Sequence, residues 1–494
     1  MLTSEDQSTG IGSRPVTRRR WFQNAAGGVF GAAVASVLGH PFFTSSTQAA
    51  SGGGDRGHDL RPRAPDFPTK ARSVIQLFMN GGPSQMDLFD PKPMLDKHHG
   101  QAHFDKIAGE VENIAAAGAI FRSPFKFQQH GKSGMWMSEL MPHLARQADQ
   151  LGVIRSMFTT NLTHEPALYL IHSGQMRAGF PCLGSWVVYG LGAESQNLPA
   201  YVVLDDPGGL PVNGVESWSA GLLPPIYQGT RFRSRGAPIL NLRPEHEAPP
   251  GLESMSRDFL RSLDLSHQRA RPHHPQLEAR LASYELAARM QLSASEALDL
   301  GRENAQTLAN YGVGGTHTDS YARRCLIARR LVERGVRFVQ IFINGQIWDH
   351  HTGIEDGLRS ACLRTDQPIA ALLADLEQRG LMDSTLVVWG GEFGRLPIAQ
   401  LAADKSERNA GRDHNKNAFT TWMAGAGIRG GTVFGATDEL GFAAVEDKVS
   451  VPDWHATILH LLGLRHEDLF IDHNGLRERL TGVVDARVVR EVLS

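Results

Sequence analysis

Cysteine is scarce: three in 494 residues, Cys182, Cys325 and Cys362, with no two near one another in sequence. At most one disulfide could form, which excludes a stapled scaffold, and three buried small hydrophobes are the plainer expectation. No CxxC pair or Cys/His run of zinc-finger spacing occurs. Charge of one sign is not in excess either. Residues 1–50 hold four basic and two acidic side chains, which leaves 46 basic against 50 acidic in the rest. That balance offers no broad positive field and excludes nucleic acid as an expected partner. Internal repeats and heptad arrays are absent. The weakly apolar stretch Ala25–Leu38 has fourteen residues, short of the roughly 20 needed to cross a bilayer, so no transmembrane segment is expected in the mature chain.

What the N-terminus does have reads as an address. Arg18-Arg19-Arg20-Trp21-Phe22 precedes that Ala/Gly-rich stretch, and small residues follow at Thr47-Gln48-Ala49-Ala50. A basic region, a short apolar region and an A-x-A-like end make a secretory signal. The arginine pair and the low hydrophobicity point to the twin-arginine route, and so to a periplasmic or extracellular protein. We therefore expect a signal peptide over residues 1–50, a Gly/Pro/charged linker over 51–70 and a single domain over 71–494.

Within that domain short apolar runs alternate with helical segments. The strand candidates are Arg72–Asn80, Gly152–Phe158, Tyr201–Leu204, Val336–Ile343, Ser384–Trp389 and Ala418–Ala424. Helices are expected over Glu165–Ser173, closed by Gly174, and over Pro275–Asn310, Asp319–Arg334, Ser360–Arg379 and Pro452–Leu462. The His-rich stretch His267–His274 reads as loop. Such alternation means an α/β fold with a mostly parallel sheet covered on both faces, whose ligands bind at the carboxyl ends of the strands.

Polar segments sit at those ends. Asn80-Gly81-Gly82 follows the first strand, Asn344 to His351 follows VRFVQIFI, and Gly390-Gly391-Glu392-Phe393-Gly394-Arg395 follows STLVVW. Gly411-Arg412-Asp413-His414-Asn415 lies just before AFTTWMA. This set suits a divalent ion beside an oxyanion. Asp349 and His351, two apart in an extended loop, emerge on one side, and His350 on the other. One carboxylate and one or two imidazoles begin a normal shell for zinc, manganese or iron, which Glu392 and His414 could complete. Arg395 and Arg412 offer planar forks for phosphate, sulfate or carboxylate.

NGGPSQMDLFDPKP, LTHEPALYLIHSG, CLIARRLVERGVRFVQI, WDHH, GGEFGR, GRDHN and VPDWHATILHLLGL together resemble a bacterial family of the DUF1501 type. Its members commonly carry twin-arginine signals and are grouped with the alkaline phosphatase and sulfatase superfamily. The resemblance implies an alkaline-phosphatase-like three-layer sandwich and an exported metal-dependent hydrolase of phosphate or sulfate esters. Its substrate would be a small-molecule or polysaccharide ester and its cofactor a divalent ion: zinc, calcium or manganese. The alternative is a superfamily member without turnover, acting as an exported binding or assembly protein. By position, Asp349, His351, Glu392 and His414 are the implied metal ligands, His164 and Arg395 the catalytic residues, and Asn80 and Arg412 the substrate-binding ones. Thr163 is a neighbouring hydroxyl near the superfamily's usual nucleophile. Cys182, in PCLGSW, lacks the sulfatase signature.

Replacing Arg19 and Arg20 together with Lys should leave the precursor in the cytoplasm, as read by cell fractionation. Normal export of that variant refutes the twin-arginine assignment.

Overall fold

A computed structural model describes residues 59–233, 249, 251–270, 275–404 and 406–494. The arginine motif, the signal peptide and most of the linker lie outside the described residues. The chain divides into two units, residues 1–47 with 239–263 and residues 48–238 with 264–494. The described part of the first is helical, within Leu252–Arg269, apart from residues 249 and 251. His267, expected in a loop, lies in the last turn of that helix, while residues 271–274 fall outside the description.

The second unit is built on a nine-stranded sheet. In chain order its strands are β1 (Ser73–Phe78), β2 (Leu151–Phe158), β3 (Tyr201–Leu204), β4 (Thr230–Arg231), β5 (Phe338–Ile341), β6 (Thr385–Gly390), β7 (Phe419–Ala424), β8 (Thr432–Phe434) and β9 (Val449–Ser450). They lie side by side as β8-β2-β7-β6-β1-β5-β3-β4, with β9 beside β2. Every pairing is parallel except the two made by β7, which runs against both β2 and β6. The pattern of apolar runs therefore gives the mostly parallel sheet expected, with one strand reversed.

Alternation along the strands covers both faces. Val74, Phe78, Leu386, Val388 and Met423 join one core with helices α1 (His164–Ser173), α2 (Leu183–Leu191) and α5 (Val451–Leu461). The intervening Ile75, Leu77, Val387 and Trp389 are equally buried. Helix α3 (Asp319–Val332) contacts β1 and β5 and packs on α4 (Ile354–Gln378); none of its buried residues belongs to the first core. The result is three layers, helix on sheet on helix. All three cysteines are buried and free, as small core residues.

Two helical expectations need correction. Pro275–Asn310 is the helical region expected, but it is not continuous. It breaks after Leu298, where the Asp299 side chain accepts from the Gly301 amide, and a new helix opens at Ala305 under an Asn304 cap. Helix α4 starts at Ile354 rather than Ser360, because Glu355 and Asp356 favour its N-terminal turn.

Helix α1 ends as expected at Gly174, whose φ is +72°, and a Cβ built there would lie 1.7 Å from the Leu480 carbonyl oxygen. Gly174→Ala should lower the unfolding free energy by more than about 1 kcal/mol, the usual penalty of left-handed backbone before any clash. A urea midpoint equal to that of the unaltered protein would contradict this.

Candidate metal centre

Because β7 is reversed, the loop before it lies at the same sheet edge as the loops that follow β1, β2, β5 and β6. Five loops meet there, and each brings one part of a polar cluster.

Asp349, after β5, is the centre. Its Oδ1 lies 3.0 Å from Nε2 of His351 and 3.2 Å from Nε2 of His414, and its Oδ2 lies 3.3 Å from Nε2 of His164. One ligand atom from each of these four residues falls within 4.8 Å of the others. His350 turns elsewhere, against Gly357 of α4, as alternation along an extended loop requires. The loop after β1 approaches so closely that a Cβ on Gly81 would lie 2.6 Å from the Asp349 amide nitrogen; Gly81 has φ +110°.

Behind the inner ring stands an outer one. Nδ1 of His164 lies 2.7 Å from Oε1 of Glu392, and Nδ1 of His351 lies 2.5 Å from Oε1 of Gln400. Glu392 is completely buried, and its two oxygens also accept the Gly81 amide at 2.9 and 3.2 Å. An outer acceptor for Nδ1–H fixes the tautomer that turns the Nε2 lone pair inward, the usual arrangement around a metal-ligating histidine. Phe393 packs against His164 and His414, with ring centroids at 4.8 and 4.5 Å, and forms the apolar wall.

The electrostatics follow from this crowding. Burial works against ionisation of Asp349, but hydrogen bonds from His164, His351 and His414 and the charge of Arg395 hold its carboxyl far below the ordinary range. Burial also opposes charge on His164, yet Asp349 and Glu392 lift that imidazole to about 9. His351 is raised by Asp349, whereas burial holds His414 down to about 4. Three imidazole nitrogens and a carboxylate oxygen on one point are a donor set that fits a divalent ion.

Other residues take places different from those expected. Glu392, expected as a ligand, is the outer partner of His164, and His164 stands in the inner ring instead. Arg395 is 1% exposed and spends its guanidinium on Asp349 Oδ1 at 2.6 Å, the Gly82 carbonyl at 2.9 Å, the Arg412 carbonyl at 3.1 Å and the Gly81 carbonyl. Arg412, fully buried, grips Asp87 at 2.8 and 3.3 Å. Neither fork is open to an oxyanion, so both arginines hold the site together rather than bind substrate. Asn80 is 2% exposed and gives its amide to the Ile343 carbonyl at 2.9 Å; its Oδ1 has no partner. Thr163 is exposed at the N-cap of α1, its side chain making no capping bond. Gln400 and Glu112, the latter 2.6 Å from Nδ1 of His414, carried no signal in the sequence.

Fold and cluster together define an α/β protein with a His/Asp cluster that could hold a metal ion at the carboxyl edge of its sheet. The chain belongs to the family described as protein of unknown function DUF1501, which matches residues 71–493. No curated protein matches it. Solved structures similar to it include the lipoteichoic acid synthase LtaP from Listeria monocytogenes, at 8% identity and TM-score 0.34, covering 87% of this chain and 82% of that one. The PsFucS1 sulfatase from Pseudoalteromonas sp. gives 12% and 0.35, covering 80% and 68%. The alkaline phosphatase of the Antarctic bacterium TAB5 gives 11% and 0.32, covering 82% and 100%. Among the described residues no helix is long and apolar enough to cross a membrane.

The Asp87–Arg412 pair is buried on both sides. Arg412→Met should cost about 3–5 kcal/mol of stability by stranding the Asp87 charge. Replacing both, as Asp87→Leu with Arg412→Met, should recover most of that loss in urea unfolding. A double variant as unstable as the single one would show that the pair itself, not the stranded charge, is what stabilises the fold.

Proposed function

We propose that the protein is an exported metal-dependent hydrolase of phosphate or sulfate esters. The observation behind this reading is the convergence of His164, Asp349, His351 and His414 within ligand reach. A divalent ion held by these four would supply Lewis-acid polarisation of an ester oxygen or activation of a water molecule. The chain's own groups do the rest. Glu392 keeps the proton of His164 on Nδ1, so that Nε2 stays directed at the reacting centre, and Gln400 does the same for His351. Arg395 fixes the position of Asp349, and the three histidines and Arg395 together keep its carboxyl ionised. Phe393 excludes water from one side, which strengthens every charge interaction inside. Thr163, exposed beside His164, is the nearest hydroxyl in sequence for a nucleophilic role.

A second reading is a binding or assembly protein that keeps the centre without turnover. It is favoured by one observation: both arginines at the site are consumed by internal contacts, which leaves neither fork for the transferred group.

Zinc- or manganese-loaded protein should hydrolyse an aryl phosphate or aryl sulfate, and Asp349→Ala with His351→Ala should abolish that activity. Glu392→Gln should lower metal affinity or rate by about 10–100-fold. Activity unchanged in the double variant would overturn the hydrolase reading. Bound metal with no hydrolysis across a broad ester panel would establish the second reading.

A further inference from the structure

Two of the three inner histidines hand their Nδ1 proton to an outer acceptor in a well-formed hydrogen bond, Glu392 for His164 and Gln400 for His351. His414 does not. Among the described residues its buried Nδ1 has no hydrogen-bond partner, although Oε2 of Glu112 lies only 2.6 Å away. The His414 side chain is only 4% exposed. Asp413 stands beside it, and one ligand atom each from Glu112, Asp413 and His414 falls within 4.8 Å of the others. Among the described residues neither carboxylate is paired with an Arg or Lys; their only ionic partners are His414 and, at 3.9 Å, His351. Two adjacent carboxylates without a cationic side chain repel one another in a partly desolvated site.

We propose that Glu112, Asp413 and Nδ1 of His414 form a second divalent-cation site, joined to the first through the imidazole of His414. Two carboxylates and one imidazole suit manganese or zinc, and the ion would supply the charge that no side chain does. Backbone amides already orient Asp413: Oδ1 accepts from His414 and Oδ2 from Asn113, at 2.8 and 2.9 Å, which leaves lone pairs on both oxygens. The Glu112 side chain is 39% exposed and provides the way in from solvent. With both nitrogens of His414 coordinated, the ring carries no proton, so occupation of the second site releases one proton to solvent. The bridge rests on the hydrolase reading's first site, but Glu112 and Asp413 do not belong to it.

Equilibrium dialysis of the whole protein against manganese alone separates the two sites. We expect two ions per chain in the unaltered protein, one in Glu112→Gln and one in Asp349→Asn, with a spin-coupled electron paramagnetic resonance signal only when both ions are present. Two ions in Glu112→Gln would overturn the second site. So would one ion in the unaltered protein that Glu112→Gln merely binds about 10–100-fold more weakly, since that is the signature of a carboxylate orienting His414 for the first ion. One ion that Glu112→Gln loses and Asp349→Asn keeps would uphold the second site and refute the first. Equal melting temperatures of unaltered and Glu112→Gln protein in chelator show that the variant folds, and Glu112→Asp, which keeps the charge, should retain both ions.

Discussion

A single buried guanidinium holds the centre together. Arg395 enters from the loop after β6 and reaches Asp349 after β5, the carbonyls of Gly81 and Gly82 after β1, and that of Arg412 before β7. Four loops from distant parts of the chain thus share one cation, whose charge adds to the hydrogen bonds from His164, His351 and His414 in holding the Asp349 carboxyl ionised although burial opposes it. A charge so placed is tolerated only while every partner is present: stranding one member of a buried pair costs about 3–5 kcal/mol. The geometry around Asp349 is therefore over-determined before any histidine is added. A flexible lysine could not bridge these loops, because its single ammonium lacks the fork that reaches several acceptors at once.

Direction of one strand decides which loops can take part. The ends of parallel strands bring Asn80, His164, Asp349 and Glu392 to one edge, and a parallel β7 would have sent the segment before it to the opposite edge. Its antiparallel pairing, Trp422 against Trp389 and Ala424 against Val387, returns Arg412, Asp413 and His414 to the site. With them come the third imidazole and the Asp87 clamp. The reversal therefore adds a fifth loop to a carboxyl-edge site that otherwise follows the general rule for open α/β sheets.

Much of this was legible in the residues. Strand runs such as SVIQLF and TLVVWG are continuous apolar sequence bounded by glycine, and the Asp349–His351 spacing fixes a shared side by alternation alone. What sequence could not weigh was exposure and direction. Glu392, expected as a ligand, stands behind His164, expected as a catalytic residue, because a carboxylate next to Gly390-Gly391 looks like an inner ligand until its partners are known. Arg395 and Arg412 read as anion clamps because the guanidinium type is visible in sequence, whereas the carbonyls and the Asp87 that consume it are not. Gln400 lies 49 residues from His351, and Glu112 lies hundreds of residues from His414, with no spacing to mark either. Helix boundaries failed where side-chain caps compete with apolar periodicity, at Asp299 and Asn304.

The inner and outer rings together give the cluster the donor set of a site that could hold a cation. A proton on Nε2 of any of the three histidines would lie against the Asp349 carboxylate, and Asp349 and Glu392, one at each ring nitrogen, lift His164 to about 9 although burial opposes it. Remove those protons and three nitrogen lone pairs face a carboxylate across less than 5 Å, an arrangement that repels itself in a poorly solvated pocket. A divalent ion held there would take the same inward directions as the protons it displaces, while the outer acceptors of His164 and His351 hold those rings in place. Binding is thus a competition at fixed atoms, so affinity should depend on proton concentration rather than on rearrangement of the loops. Arg395, Gly81 and the reversed strand bring the loops together, and none of them is among the candidate ligands.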